Sequence, residues 1–201
     1  MRSHAFLSVF ALLAASHVFA QGHYVHTETK FEFPAFVGAF ERSSTLRYED
    51  PKFGVKVEYI ARDLGKADFY LFNFGFPSIP DGPNSELVRR AFLSADADVQ
   101  ELVKRGDYLE FKRVIPVGAI LEIKLKTPPF QLAGYEFRQN LPNAEPVVSW
   151  LLVTGLREYF FKVRYSYSAA RLADGRREFE KLLVGLFEAN AQTGKTSANA
   201  P

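Results

Sequence analysis

The chain has 201 residues, of which 47% are hydrophobic and 24% charged, and its formal net charge is +2. This is the composition of a globular protein, and it excludes a collagen, a coiled coil and a wholly disordered chain. Because the chain has no cysteine, it also excludes disulfides, thiol catalysis and every zinc site that needs cysteine. The nearly balanced charge, without a basic helix or an aromatic RNA-binding signature, argues against nucleic acid as a partner.

The first twenty residues have the features of a secretory signal peptide. A polar start precedes an apolar run from Ala5 to Ala15, which is too short to span a bilayer. Val18-Phe19-Ala20 then provides a cleavage point, so we expect residues 1–20 to be removed and the mature chain to begin at Gln21. We therefore predict export to the periplasm or the extracellular space, with no transmembrane segment in the mature chain.

Neither an internal repeat nor a long linker divides the remaining chain, which favours one domain. We expect a single α+β domain over 30–188. A polar lead-in over 21–29 precedes it, and a tail over 189–201, rich in Gln, Thr, Gly, Ser and Asn, is expected to be disordered.

The first half of the domain alternates between strand and helix patterns. Val55, Val57 and Tyr59 alternate with charged residues and predict a strand with one apolar face. The stretch 68–74 is apolar on both faces, which predicts a central strand covered on both sides. A helix is predicted from Glu86 to Arg105, because apolar residues recur at three- and four-residue spacing after a turn-rich segment.

The second half is predicted to be a meander of strands closed by a helix. Alternation over 121–126 and 135–138 predicts two antiparallel neighbours, and 147–153 with 159–167 predicts a hairpin. A final helix, capped by Asp174, is predicted from an apolar stripe at helical spacing, formed by Phe179, Leu182, Leu183, Leu186 and Phe187.

This order of elements resembles a known architecture. With the Phe-Glu-Phe-Pro opening at 31–34 and the Phe-Lys-Val-Arg-Tyr strand at 161–165, the layout of 30–188 is similar to that of Mog1/PsbP-like proteins. The resemblance implies an antiparallel sheet covered by two main helices, an α/β/α sandwich, and an accessory or interaction subunit rather than an enzyme. No site residue is carried over, because none is matched position by position.

Catalytic and metal-binding patterns are not evident in the sequence. His23 and His26 lie in the lead-in, where we expect them to be solvated rather than to serve as general bases or metal ligands. Asp96 and Asp98 lie two apart on the predicted helix and lack the glycine and later glutamate of a calcium loop, so a solvated helix face is expected. We predict no catalytic residue, no metal site and no cofactor.

One candidate binding surface is a basic cluster on the predicted sheet. If the strands of the second half are neighbours, they bring five cations to one outward side, where an acidic partner or an anionic headgroup would be attracted. These residues are Lys124, Lys126, Arg138, Lys162 and Arg164. In the alternative, a helix covers this face and the cations pair with nearby glutamates; the register decides between the two, because a slip of one residue reverses every side chain.

The second candidate surface is aromatic. Phe74 and Phe76 precede the turn at 79–83, which contains Asp81, and exposed aromatic side chains there would offer a contact surface. Their alternative role is in the core.

Two functions from different classes follow. The preferred hypothesis is an exported, non-enzymatic interaction module that docks on an envelope protein through the basic face or the aromatic turn. The alternative is a binding protein for an apolar or cyclic small ligand, or a carboxylate-dependent hydrolase. A cavity of several hundred cubic ångströms lined by aromatic residues, with a buried carboxylate, would favour it.

Overall fold

The computed structural model describes residues 22–123, 130–140 and 144–196. Within these ranges the chain forms eleven strands and two α-helices. The elements are β1 (Tyr24–Val25), β2 (Glu32–Phe33), β3 (Phe36–Val37), β4 (Phe40–Arg47), β5 (Val55–Ala61), β6 (Gly65–Phe72), α1 (Glu86–Lys104), β7 (Lys112–Arg113), β8 (Ala119–Ile123), β9 (Phe130–Gln139), β10 (Val147–Leu156), β11 (Tyr159–Ser168) and α2 (Leu172–Thr196).

Nine of these strands form one antiparallel sheet in the order β3-β4-β5-β6-β11-β10-β9-β7, with β8 also paired to β9. The predicted hairpin is its centre: β10 and β11 pair along their whole length, from Val147 opposite Ser168 to Leu156 opposite Tyr159. The strands that contain 121–123 and 135–138, β8 and β9, are antiparallel neighbours as predicted, although β8 pairs with residues 130–134 of β9. Strand β11 joins this half to β6.

The two helices lie on opposite faces of the sheet. Under α2, Phe69 and Val163 pack in one core with Leu182 and Leu186. Under α1, a second core contains Phe92, Val99, Tyr135, Val153 and Phe160. The α+β class and the helix-covered antiparallel sheet predicted from the sequence are therefore confirmed.

Helix α1 covers only part of its face. It packs on β10, whereas β5 and β6, on the other side of β11, turn polar residues to the same side. Ile60 of β5 is 43% exposed there, and Lys66 of β6 has a side chain that is 48% exposed. We name this uncovered, largely polar surface of the sheet the groove beside α1.

The structure differs from the sequence-based domain limits at both ends. Within the lead-in, β1 pairs with β2, and the His26 side chain is only 2% exposed, although the sequence predicts that it is solvated. Its Nδ1 atom hydrogen-bonds to Thr29 Oγ1 at 2.9 Å, and its ring packs edge-on against Tyr159. At the other end, α2 continues to Thr196, past the predicted start of the tail. Asn190, inside the predicted tail, is buried and donates a hydrogen bond to the backbone carbonyl of Glu32.

No helix in the described part of the chain is both long and apolar enough to cross a membrane.

Candidate functional site

Lys162 and Arg164 lie side by side on the α1 face of β11. The apolar residues of this strand, Phe161, Val163 and Tyr165, belong to the core under α2. Because side chains alternate along a strand, the two cations turn to the opposite face, at the groove beside α1. Both side chains are half-buried.

Aromatic rings surround the Lys162 amine. Its Nζ atom lies 4.3 Å from the ring centroid of Tyr70 and 5.8 Å from that of Phe72. Burial lowers the pKa of Lys162 to about 8, because Asp98 only partly offsets the loss of water and Arg164 adds a repelling charge. The amine is therefore easier to deprotonate than a solvated lysine.

Arg164 and Asp98 complete this part of the groove. Arg164 donates a hydrogen bond from Nη2 to the hydroxyl of Tyr108 at 2.9 Å. Asp98 reaches in from α1, and burial raises its pKa against the opposing effects of Lys162 and Arg164. The sequence analysis predicts that Asp98 lies on a solvated helix face, and this prediction is wrong.

Next to this trio, β5 and β6 carry a paired set of charges. Lys56 lies 3.4 Å from Glu58 and 3.2 Å from Asp68, and Lys66 lies 2.5 Å from Glu58 and 3.8 Å from Asp68. Although burial opposes it, hydrogen bonds from Lys66 and Ser43 lower the pKa of Glu58 to about 2. These four charges neutralise one another.

The predicted basic cluster is not assembled as the sequence suggests. Arg138 of β9 is exposed on the opposite face, because Tyr135 and Phe137 of that strand pack under α1. Lys124 and Lys126 lie outside the described residues. The structure therefore brings together Lys162 and Arg164 and separates Arg138 from them.

The predicted aromatic surface lies at one end of the sheet. Phe74 is 44% exposed and Phe76 41%, and Phe53, which the sequence analysis does not single out, is 38% exposed beside them. The Phe74 ring centroid lies 6.2 Å from that of Phe53 and 4.6 Å from that of Phe72, and the Phe76 centroid lies 6.2 Å from that of Phe160. We name Phe53, Phe74 and Phe76 the aromatic patch.

Backbone hydrogen bonds fix the aromatic patch. The amides of Asn73 and Phe74 both donate to the carbonyl of Lys52, at 3.2 and 2.9 Å. The Asn73 side chain accepts a hydrogen bond from the Gly75 amide at 2.9 Å. Backbone and side-chain hydrogen bonds therefore both hold this turn in place. Phe74 has a φ of 53°, a left-handed conformation that a phenylalanine rarely adopts. The local structure therefore imposes this exposed orientation at a cost in backbone strain.

Asp81 has a structural contact instead of an open binding position. Its Oδ1 atom accepts a hydrogen bond from the Arg157 amide at 2.6 Å, at the tip of the β10–β11 hairpin. Gly82 and Gly155 exchange backbone hydrogen bonds of 3.0 Å beside it. Asp81 thus fastens the turn at 79–83 to the central hairpin.

A cleft of about 440 Å³ opens on the other face, between α2 and the strands β8 to β10. Trp150 and Phe179 contribute to its apolar wall and Arg176 to its polar part, and Glu136 lies behind Arg176 with no exposed surface. Both oxygens of Glu136 accept hydrogen bonds from Arg176 at 2.8 Å, which engages the carboxylate inside the fold.

Among residues 22–123, 130–140 and 144–196, no three His, Asp or Glu side chains come together as ligands of a metal ion would.

Sequence reasoning missed Phe53 and assigned Asp98 to a solvated face, each for a definite reason. Phe53 ends a short 3₁₀ helix at Pro51–Phe53, and no periodic pattern reports the exposure of such a residue. Asp98 is brought to Lys162 by the docking angle of α1, which depends on tertiary packing.

Neither the scan against family models nor the search of curated proteins finds a match. Among solved structures, the chain is similar to the solution structure of cyanobacterial PsbP (CyanoP) from Synechocystis sp. PCC 6803, with 13% sequence identity and a TM-score of 0.43. The match covers 90% of this chain and 96% of that chain. It agrees with the resemblance that the sequence indicates.

Proposed function

We propose that the protein is an exported, non-enzymatic interaction module that docks on an envelope protein through the aromatic patch. The observation that carries the proposal is that Phe53, Phe74 and Phe76 are all exposed at one end of the sheet. The Phe53 ring contacts that of Phe74, and Phe74 and Phe76 both contact Phe160. Single exposed apolar residues are common on protein surfaces, but a contiguous group of them is characteristic of contact sites.

The packing beneath the patch supports this function. Phe74 and Phe76 rest on Phe72 and Phe160, which belong to the core under α1. Aromatic side chains held in one position lose little conformational entropy on binding, which is why they dominate contact energies in many interfaces. A local rearrangement of the turn would relieve the backbone strain at Phe74. A role of Phe74 in binding a partner gives a reason why the strained conformation is retained.

Charged groups border the patch. Lys52 Nζ lies 4.9 Å from the ring centroid of Phe53, and Asp50 lies beside Lys52 at 2.6 Å. An apolar centre with a polar rim is the usual composition of a protein–protein contact. The proposed partner therefore has an apolar residue that packs on the rings and polar groups around it.

The test compares two variants of the chain from Gln21 onward. Phe74→Ser/Phe76→Ser alters the patch, and Phe36→Ser, a matched control, alters a 66% exposed phenylalanine on β3. Each protein is fixed on a support and exposed to an envelope extract, and captured proteins are quantified by mass spectrometry.

A partner that the wild type and Phe36→Ser retain, and that Phe74→Ser/Phe76→Ser loses at least tenfold, is the expected result, since truncating an interface hot spot costs about 2 kcal/mol or more. Equal capture by both variants, with unchanged circular dichroism, would show that the patch is not the docking surface.

A further inference from the structure

The groove beside α1 has an excess of one positive charge among its described residues. Lys162 and Arg164 face Asp98 of α1, and Asp68, which lies opposite Arg164 in the strand register, also acts on Lys162. Lys56, Lys66, Glu58 and Asp68 on β5 and β6 carry no net charge together, so the four cations here exceed the three carboxylates by one.

We propose that Lys162 and Arg164 form a binding site for the carboxylate group of a small monocarboxylic acid. The proposal concerns different residues from the aromatic patch and does not depend on it.

The fold leaves hydrogen-bond donors of both cations without a protein partner. Within the described residues, no carboxylate oxygen lies within 4.0 Å of Lys162 Nζ or of the Arg164 guanidinium. Arg164 uses one donor on Tyr108, and its remaining donors have no hydrogen bond to a described residue. Since a guanidinium offers five donors in a planar fork, it can still bind a carboxylate.

The walls of the groove strengthen such a contact. The rings of Tyr70 and Phe72 lie against the Lys162 amine and reduce its access to water. Hydrogen bonds to charged groups are stronger where water is partly excluded. The half-buried Tyr70 ring also offers an apolar surface to the hydrocarbon part of the acid.

Charge selects a monoanion over a dianion. One bound carboxylate would balance Lys162 and Arg164 against Asp98, whereas a phosphate dianion would leave a negative excess close to the Asp98 carboxylate. Asp98 therefore acts against more highly charged ligands, a form of selection by repulsion.

The test follows the amine of Lys162 by NMR in protein with ¹³C-labelled lysine, and the signal is assigned by its loss in Lys162→Gln. A pH titration is recorded in sodium acetate and in sodium chloride of equal ionic strength. We expect acetate to raise the pH at which Lys162 titrates, because a bound anion stabilises the ammonium form. At constant pH, the same signal gives the dissociation constant for acetate.

Two variants show whether the effect is local. Arg164→Gln is expected to weaken acetate binding about tenfold, since it removes the charged fork. Lys66→Gln removes the same charge from the paired set on the same face, and it should weaken acetate binding much less than Arg164→Gln does. Arg164→Lys, which keeps the charge and loses the fork, replaces Arg164→Gln if circular dichroism shows that the latter does not fold.

Identical titration of Lys162 in acetate and chloride would overturn the proposal. So would equal losses of binding in the Arg164 and Lys66 variants, because that result would indicate general attraction by surface charge rather than a site.

Discussion

Arg176 of α2 forms an ion pair with the carboxylate of Glu136 on β9, and Glu136 has no exposed surface. The guanidinium donates to both oxygens at 2.8 Å, while Arg176 itself is 43% exposed. The pair ties the last helix to the sheet and compensates a charge that the core would otherwise not tolerate.

Removing Arg176 is therefore expected to destabilise the fold strongly. Arg176→Met leaves the Glu136 carboxylate buried without its counterion, which costs about 3 kcal/mol of the free energy of unfolding. The measurement is urea denaturation at pH 7. Arg177→Met, at the next position and in an exposed pair with Asp174, is the control and should change stability little.

The double variant Glu136→Met/Arg176→Met distinguishes a stranded charge from lost packing. It should recover most of the loss, because two apolar side chains replace the pair. If the double variant is as unstable as Arg176→Met, the ion pair is not the cause.

The turn between β10 and β11 stores backbone strain. Arg157 and Glu158 have φ values of 49° and 67°, as a two-residue hairpin turn requires, although neither residue is suited to it. Glu158→Gly is expected to raise the free energy of unfolding by about 0.5 to 1 kcal/mol, since glycine adopts this conformation without steric cost.

Thermal and urea unfolding of Glu158→Gly check this expectation. Glu180→Gly, in the interior of α2, should lower stability by about 1 kcal/mol, because glycine is unfavourable inside a helix. Destabilisation by both substitutions would mean that the turn is not strained.

Local patterns account for most of the fold, and their limit is visible in β9 and β11. The alternation in each strand correctly separates its own two faces. Which face of one strand matches which face of the next depends on packing: Tyr135 goes under α1, whereas Tyr165 goes under α2. Arg138 and Arg164 therefore point to opposite sides, and strand patterns alone could not assign them.

The same distinction explains the candidate sites. The aromatic turn was predictable because Phe74 and Phe76 stand beside dense turn chemistry. The approach of Asp98 to Lys162 was not, since it depends on where α1 crosses the sheet. Burial of His26 likewise follows from pairing of β1 with β2, two strands of only two residues each.

The buried His26 is expected to make stability depend on pH. Burial lowers the pKa of His26 below its ordinary value of 6.5, and Glu28 only partly opposes this shift. The unfolded chain therefore binds a proton more readily than the fold does. The contribution to stability is complete above about pH 6.5 and is lost as the pH falls through the lowered pKa of the folded state.

Urea unfolding at several pH values between 7.5 and 5, compared with His26→Gln, measures this contribution. The variant should lose less stability over this interval than the wild type, whatever its stability at pH 7.5. Parallel curves for the two proteins would show that His26 does not titrate differently in the folded state.

Lys162 is expected to lower the stability of the fold that contains it. Its pKa of about 8 lies below the ordinary 10.5, because burial penalises the charged form. Between these two values the unfolded chain binds more protons than the folded chain, so wild-type stability should rise with pH across this window. Below it, the cost of burying the charge is present in full.

Lys162→Met removes the charge and keeps the aliphatic contact with Tyr70. We expect it to raise the free energy of unfolding by about 1 to 3 kcal/mol at pH 7, and the gain should shrink as the pH rises from 8 towards 10.5. Urea unfolding at pH 7, 8, 9 and 10 measures both effects.

Lys66→Met, which breaks the contact with Glu58, should destabilise instead. A Lys162→Met variant that is less stable at pH 7, or shows the same pH dependence as the wild type, would contradict the expectation. A gain in stability would mean that the fold tolerates Lys162 at a cost, as binding sites commonly require.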